Sequence, residues 1–420
     1  MRFIIKLILV LLTGFTGGFA QLTLENCQEK ALANYPLIKQ FDLIKLSESY
    51  NLSNADKAYF PQLAISAKAT YQSDVVEIPV DLPLFKFDVP AKDQYQVAAE
   101  ISQVLWDGGG ISAQKSLIQS SSEIEKQKLE ADLYSIKDRI NQLFFGILLI
   151  DEHLKRINDL QKELQTNLDR ISSLKNNGVA TQSDIDVIQV EIINSKQKQT
   201  ELIANKNAFL KVLSIMTGEE ISENTELEKP ELKSETTFSA QNMRPELKLF
   251  ETQGNMLLNQ LDIIDAGTMP KVGLFIQGGY GRPGFNILKN EFQLFYIGGI
   301  RFSWNLSAFY SKSNSYELIK TNQNSVNLQK ETFLFNNNLK TEQQKIEIEK
   351  LKNLIQNDDE IIKLRTNIKK TSEAKVENGT LSVSDLIRDI NNENFVRLDK
   401  AVHEIQLLIA IYNYKYLVND

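Results

Sequence analysis

Residues 177–185 read Asn-Gly-Val-Ala-Thr-Gln-Ser-Asp-Ile, and residues 378–386 read Asn-Gly-Thr-Leu-Ser-Val-Ser-Asp-Leu. In both stretches, a glycine that can end a helix in the left-handed conformation precedes a hydroxyl residue that can cap the next helix. Each stretch therefore predicts a sharp turn between two helices. The copies lie 201 positions apart, which is too long for a solenoid repeat and indicates a duplicated half-structure.

The duplication extends along both halves of the chain. Its other landmarks are, in pairs, Pro36 and Pro245, Pro61 and Pro270, Tyr71 and Tyr280, and Trp106 and Trp304. The spacing is 209 residues for the prolines and tyrosines, 198 for the tryptophans and 201 at the turns. This implies a shorter loop and a slightly longer helix in the second half. We expect a first repeat over 21–218, an acidic linker over 219–243 and a second repeat over 244–420.

Long helices are predicted on both sides of each turn, because no proline occurs between Pro90 and Pro230 or after Pro283. Apolar residues recur there in steps of four and three, at Leu129, Leu133, Ile136, Ile140, Leu143, Ile147, Ile150, Leu154 and Ile157. This spacing is typical of a coiled coil. The sequence therefore predicts two long helical hairpins, one turning at Gly178 and the other at Gly379.

Four runs of alternating apolar and polar residues precede the long helices. Their apolar members are Leu63, Ile65, Ala67, Ala69 and Tyr71; Tyr95, Val97, Ala99 and Ile101; Val272, Leu274, Ile276 and Tyr280; and Phe292, Leu294, Tyr296, Ile300, Phe302 and Trp304. Each run has about the 11 residues that a tilted transmembrane strand requires. One such run alone fits a soluble sheet, but four beside coiled-coil hairpins indicate membrane strands. Four strands cannot close a barrel, and lipid excludes open sheet edges, so several chains must share one barrel.

The N-terminus and the charge narrow the class of protein further. Residues 1–20 have the basic start, apolar run and small final residues of a secretory signal peptide. The formal net charge of −7 argues against nucleic acid as a partner. Cys27 has no partner for an internal disulfide, and two histidines cannot form a histidine-rich metal cluster. We therefore expect an exported protein without a cofactor.

The ordered set of motifs resembles the TolC-like outer-membrane efflux family. The matching segments are Leu22-Thr23-Leu24-Glu25, Ala31-Leu32-Ala33-Asn34-Tyr35-Pro36, Tyr59-Phe60-Pro61-Gln62-Leu63, Leu105-Trp106-Asp107-Gly108-Gly109 and the turns at Gly178 and Gly379. The resemblance implies an α+β membrane protein with four transmembrane β-strands per chain. Three chains would build a 12-stranded β-barrel in the outer membrane and a coiled-coil tunnel through the periplasm. It also implies a homotrimer that contacts outer-membrane lipid, a periplasmic adaptor and an inner-membrane pump.

The two turns match the adaptor-contacting tips of the family. Their residues are Gly178, Val179, Ala180 and Thr181 in the first turn and Gly379, Thr380, Leu381 and Ser382 in the second. Small exposed residues would let another helical hairpin approach closely. Simple helix termination explains the glycines equally well, so both interpretations stay open.

Asp184 and Asp385 each stand six residues past a turn glycine. In the family, aspartates here can face the pore, where three copies would form a ring that attracts cations. An aspartate in the first turn of a helix is also favoured by the helix dipole alone. Arg388 occupies the place of a further acidic ring, and Val376 and Leu381 occupy the places of polar latches, so the resemblance favours gating by apolar packing.

No residue set suggests catalysis. Asp107-Gly108-Gly109-Gly110 lacks the following residues of a phosphate-binding loop and is interpreted as a backbone turn. We expect a non-enzymatic channel that passes small molecules from a pump to the exterior. The alternatives are a duct for protein secretion and a periplasmic coiled-coil scaffold without a barrel.

Overall fold

A computed structural model describes residues 22–76, 89–223, 225–231 and 242–419. The predicted signal peptide over 1–20 lies outside these residues. So do residues 77–88 of the loop that joins the first two predicted strands, and residues 224 and 232–241 of the predicted linker.

The described chain contains long helices and one small sheet. The helices are α1 (Leu24–Asn34), α2 (Gln40–Asp56), α3 (Gly110–Asn176), α4 (Gln182–Thr217), α5 (Pro245–Gly267), α6 (Ala308–Glu377) and α7 (Val383–Val418). Single 3-10 turns cover Pro36–Lys39 and Lys57–Tyr59. The strands are β1 (Gln62–Tyr71), β2 (Asp93–Trp106), β3 (Lys271–Arg282) and β4 (Gln293–Ser303). All four predicted strands and both predicted hairpins are confirmed.

The four strands form one antiparallel sheet in the order β1-β2-β3-β4. Ala67 pairs with Val97, Val97 with Tyr280, and Tyr280 with Leu294. Because side chains alternate between faces, this register places the predicted apolar residues of all four strands on one face. That face is exposed, with Ile65 at 75% and Leu294 at 85%.

The opposite face of the sheet carries the charged residues Lys68, Glu100 and Arg301. The Arg301 guanidinium lies 2.9 Å from the Glu100 carboxylate and 4.5 Å from the centre of the Phe275 ring. This face therefore holds an ion pair that spans from β2 to β4. We call it the polar face and its reverse the apolar face.

A bulge in β2 decides the position of Trp106. Gln103 pairs with Leu274 and Val104 with Gly273, but the register then shifts and Trp106 pairs with Val272. The extra residue reverses the alternation, so Trp106 joins the apolar face that Tyr95 and Val97 occupy.

The predicted coiled-coil seam of α3 is largely buried. Ile140 and Ile147 are fully buried, as are the neighbouring rings of Phe144 and Phe145. A second apolar cluster joins α6 to α7 through Ile348, Leu351, Leu407, Ala410, Ile411, Tyr414 and Val418. Long helices are thus stabilised by packing against each other along one stripe.

The chain divides into two compact units. One takes the described residues of 1–39, 130–245 and 333–420, and the other takes 40–129 and 246–332. Each unit combines segments from both predicted repeats. Among the described residues, no helix is both long and apolar enough to span a membrane.

Candidate functional site

The first hairpin turn is built by backbone hydrogen bonds around Gly178. This residue has φ +78°, and the Val179 N–H donates to the Leu174 carbonyl at 2.9 Å. An added Cβ on Gly178 would have no neighbour within 4 Å. Glycine is therefore required here by the left-handed backbone and not by crowding.

Helix α4 begins with a reciprocal capping box. The Asp184 N–H donates to the Thr181 hydroxyl oxygen at 3.3 Å, and the Thr181 N–H donates to the Asp184 carboxylate at 2.8 Å. The Thr181 hydroxyl donates to the same carboxylate oxygen at 2.7 Å. The local sequence Thr-Gln-Ser-Asp thus satisfies the free amides that begin a helix.

The second turn is similar, but within the described residues its cap lacks the backbone N–H to carboxylate bond that completes the capping box at Thr181. Gly379 has φ +67°, and the Asp385 N–H donates to the Ser382 hydroxyl oxygen at 3.1 Å. The Ser382 hydroxyl donates to the Asp385 carboxylate at 2.7 Å. The other carboxylate oxygen of Asp385 lies 2.9 Å from the Arg388 guanidinium. Within the described residues Asp184 has no such contact, and Val187 occupies the position equivalent to Arg388.

An apolar cluster connects the two hairpins just behind the turns; we call it the tip cluster. Its buried members are Leu164, Ile171, Ile185, Ile188, Ile192, Val376, Val383, Leu386, Ile387 and Ile390. Ala180 and Leu381 are partly buried against it. Val376 and Leu381 therefore pack as apolar residues of this cluster, and gating by that packing stays a prediction.

The eight predicted turn residues therefore differ in their surroundings. Ala180 and Leu381 pack inward against the tip cluster, while Thr181 and Ser382 act as helix caps. Val179 is 55% exposed. Thr380 is also exposed, and its hydroxyl donates to the Lys375 carbonyl at 3.0 Å.

A charged network centred on buried Glu393 lies further along the same helices, and it was not predicted from the sequence. The Lys369 ammonium lies 2.6 Å from Glu163 and 3.3 Å from Glu393. Glu393 is 3% exposed, lies 2.6 Å from Arg397 and accepts a hydrogen bond from Thr366 at 2.9 Å. The network joins α3, α6 and α7. From the sequence, only Glu393 could have been noticed, because it follows Leu386 and Ile390 in apolar steps of four and three along α7.

Two other polar residues have structural partners. The Asp107 carboxylate accepts hydrogen bonds from the backbone N–H groups of Gly109 and Ile111 at 3.1 and 2.5 Å, which confirms the backbone turn. Nδ1 of His403 lies 2.7 Å from the Asp358 carboxylate on α6. Within the ranges that the structure describes, no group of three or more His, Cys, Asp or Glu side chains could hold a metal ion.

Several solved structures that share this architecture are outer-membrane channels. The outer-membrane channel OprN aligns with TM-score 0.69 and 13% identity over 94% of this chain and 89% of its own. The CmeC outer membrane channel of Campylobacter jejuni aligns with TM-score 0.65 and 13% identity over 95% of this chain and 86% of its own. The MtrE outer membrane channel of Neisseria gonorrhoeae, in its open state, aligns with TM-score 0.63 and 11% identity over 94% and 88%.

No protein-family model and no curated protein sequence matches the chain. The protein therefore has the fold of outer-membrane channels, with a four-stranded sheet and two long helical hairpins. The predicted resemblance to TolC-like channels is confirmed for this fold.

Proposed function

We propose that this protein is the outer-membrane channel of an efflux system, built from three copies of the chain and extending into the periplasm. The observation that carries the proposal is the sheet, which has an exposed apolar face on all four strands and charged residues on its reverse. Such a sheet suits lipid on one side and a water-filled lumen on the other. A soluble scaffold would leave the apolar face in water.

The outer strands of the sheet support assembly with further copies. β1 and β4 run in opposite directions, so β4 of one copy can pair antiparallel with β1 of the next. Three copies joined in this way would supply twelve strands and leave no open edge. Closure satisfies the backbone groups that lipid cannot hydrogen-bond.

The duplication also supports a particular helical contact between copies. Within one chain, α3 packs on α7: Tyr134 stacks on Tyr416 at 4.8 Å, and Phe145 lies 5.2 Å from Tyr412. The offset of 201 relates α3 to α6 and α4 to α7, as shown by buried Ile136, Ile140, Ile147 and Ile150 and their buried equivalents Asn337, Thr341, Ile348 and Leu351.

The equivalent contact between α6 and α4 is absent within the described part of one chain. Phe335 and Ile346 are the α6 equivalents of Tyr134 and Phe145 and are 65% and 67% exposed. Ile215 is the α4 equivalent of Tyr416 and is 67% exposed. We infer that α6 of one copy packs against α4 of the next, with Phe335 beside Ile215.

Cross-linking tests this arrangement. In a chain with Cys27→Ala, the pair Phe335→Cys and Ile215→Cys should give covalent dimers and trimers with a short thiol cross-linker. The matched pair Tyr134→Cys and Tyr416→Cys should link only within one chain, because those positions already meet there. A ladder extending beyond three chains, or monomers alone from the first pair, would contradict the trimer.

The hairpin turns are proposed to dock a periplasmic adaptor that couples the channel to an inner-membrane pump delivering small molecules. Val179 supports this, since it is an exposed apolar side chain at a turn whose other residues are occupied by capping and packing. Val179→Glu should abolish efflux and adaptor cross-linking while the trimer assembles. Val179→Thr, of nearly equal size, should retain both. Normal efflux with adaptor bound to the Val179→Glu variant would refute the docking role.

A further inference from the structure

An aromatic pair lies on the polar face of the sheet, at the end away from α3 and α6. Phe295 of β4 pairs with Gly279 of β3, which pairs with Ala98 of β2. Val97 and Ala99 lie on the apolar face, so Ala98 between them lies on the polar face. Its partners across the sheet, Gly279 and Phe295, lie on the polar face as well. Phe295 is 9% exposed and Ala98 4% exposed, which is unusual for a surface that carries Lys68, Glu100 and Arg301.

Phe285, from the loop that joins β3 to β4, packs against Phe295. The two ring centroids are 4.6 Å apart and the rings are inclined at 57°. The Phe295 ring also lies over Gly279, where an added Cβ would collide with it. Glycine at this position therefore makes room for the Phe295 ring.

The loop itself is held in shape by polar contacts. Its Asn290 accepts a hydrogen bond from the Ala91 N–H at 3.0 Å, which ties it to the chain entering β2. Asn286 accepts from the Leu288 N–H at 3.2 Å through its side chain and from the Lys289 N–H at 3.2 Å through its carbonyl. Phe285 thus projects from an ordered turn, yet remains 56% exposed.

The neighbouring Phe292 lies on the other side of the sheet. Its ring stacks on Tyr280 at 5.4 Å and on Tyr95 at 6.5 Å, two residues of the apolar face. The same loop therefore sends one aromatic side chain toward each face. Only Phe292 fits the ring of aromatics that contacts a membrane interface.

We propose that Phe285, seated on Phe295, forms an apolar collar inside the outer mouth of the channel and limits the size of solutes that pass. This rests on the proposed function, because it takes the polar face as the lumen wall and three copies as the ring. Three half-exposed phenyl rings would narrow the mouth, and apolar constrictions in a pore also hinder water and hydrated solutes.

Fluorescence quenching tests which side each ring occupies. In chains carrying Trp106→Phe and Trp304→Phe, brominated phospholipids should quench the Phe292→Trp variant and leave the Phe285→Trp variant bright. Quenching of both variants would place Phe285 in lipid. That result would overturn the proposed collar but not the proposed channel function. If neither is quenched, the sheet does not lie in the bilayer, which overturns the proposed function and the collar with it.

Single-channel recording with graded polyethylene glycols tests the constriction. Polymers added from the side of the β3–β4 loop should enter the Phe285→Ala channel at larger sizes than they enter the unaltered channel. Phe292→Ala should leave the cut-off unchanged, as should polymers added from the helical side. An unchanged cut-off for an assembled Phe285→Ala trimer would refute the collar.

Discussion

At the residue scale, the two turn glycines are required by their backbone conformation alone. Gly178 and Gly379 have positive φ, and an added Cβ would meet nothing within 4 Å at either position. Alanine should therefore cost about 1–2 kcal/mol at each turn, the usual penalty of the left-handed conformation. This loss of stability should lower the unfolding temperature, which circular dichroism measures.

Gly254 provides the control for this prediction. It lies inside α5 with no positive φ and open space around an added Cβ. Gly254→Ala should stabilise the helix by up to about 1 kcal/mol, because alanine is the better helix former. Equal effects at Gly178 and Gly254 would show that the left-handed turn is not the source of the cost.

The two turn aspartates should differ in their effect on cations. One oxygen of Asp385 contacts Arg388 at 2.9 Å, whereas Asp184, within the described residues, contacts only its cap partner Thr181. If both face the pore, Asp184 contributes more negative potential. Asp184→Asn should weaken block by hexaamminecobalt(III) more than Asp385→Asn does. The measurement is single-channel current against blocker concentration, and an equal loss from both variants would contradict it.

Sequence predicted the residues of the turns well, because their chemistry is local. A glycine with positive φ and a hydroxyl residue before an aspartate specify the turn and cap without help from the rest of the protein. The inward packing of Ala180 and Leu381 could not be predicted in the same way. It depends on the second hairpin, which brings the tip cluster against both turns.

At the scale of elements, the charged network around buried Glu393 should make the stability of one unit depend on pH. This is the unit that contains residues 130–245 and 333–420. Burial raises the pKa of Glu393, but hydrogen bonds from Arg397 and Thr366 and the charge of Lys369 outweigh it, so the net pKa is lowered. Burial lowers the pKa of Lys369, but contacts with Glu163 and Glu393 outweigh it and the net pKa is raised.

The directions of these two pKa shifts determine the pH range in which the network stabilises the fold. A carboxyl with a lowered pKa stabilises the fold above its ordinary pKa, and this contribution is lost as pH falls through the lowered value. The stabilisation of the fold by the Lys369 ammonium is lost only as the pH rises through the raised pKa of Lys369. Glu393→Gln should therefore destabilise at neutral pH by about 1–3 kcal/mol, since it leaves charged partners less satisfied.

Thermal unfolding of Glu393→Gln between neutral and acidic pH checks this prediction. The difference from the unaltered protein should shrink as the pH falls. Glu347→Gln is the control, because its ion pair with Lys350 is exposed on α6 and such pairs contribute little. A pH-independent loss in Glu393→Gln would assign the effect to packing instead of charge.

The strands show where element-level prediction from sequence stops. Alternation predicted the apolar face of all four strands, because a period of two is a local property. It did not predict the bulge between Val104 and Trp106. One extra residue in β2 is visible only against the register of β3, although a terminal tryptophan out of phase with Tyr95 and Val97 is a signal for it.

For the whole molecule, a comparison of the two halves reveals an uncovered helix surface that neither half alone would indicate. The first long helix α3 has its outer apolar stripe covered by α7, with Tyr134 at 7% and Phe145 at 1% exposure. The equivalent stripe on α6 is open. In the proposed trimer, the two halves present the same kind of surface, and they differ in whether the helix that covers it belongs to the same chain or to the next copy.

Ile346 and Phe145 occupy equivalent positions in the two halves and should respond differently to a charged replacement. Phe145→Glu places a carboxylate in the covered stripe and should unfold the unit that contains residues 130–245 and 333–420, because a buried unpaired charge is strongly unfavourable. Ile346→Lys leaves the single chain folded, since that side chain is 67% exposed there. It should instead prevent assembly, because Lys211 is the α4 equivalent of Tyr412 and would repel the new ammonium across the contact between copies. Circular dichroism and light scattering after size exclusion in detergent separate the two effects. A folded trimer of the Ile346→Lys variant would mean that α6 and α4 of neighbouring copies do not meet, and that the internal contact between α3 and α7 is not the pattern for assembly.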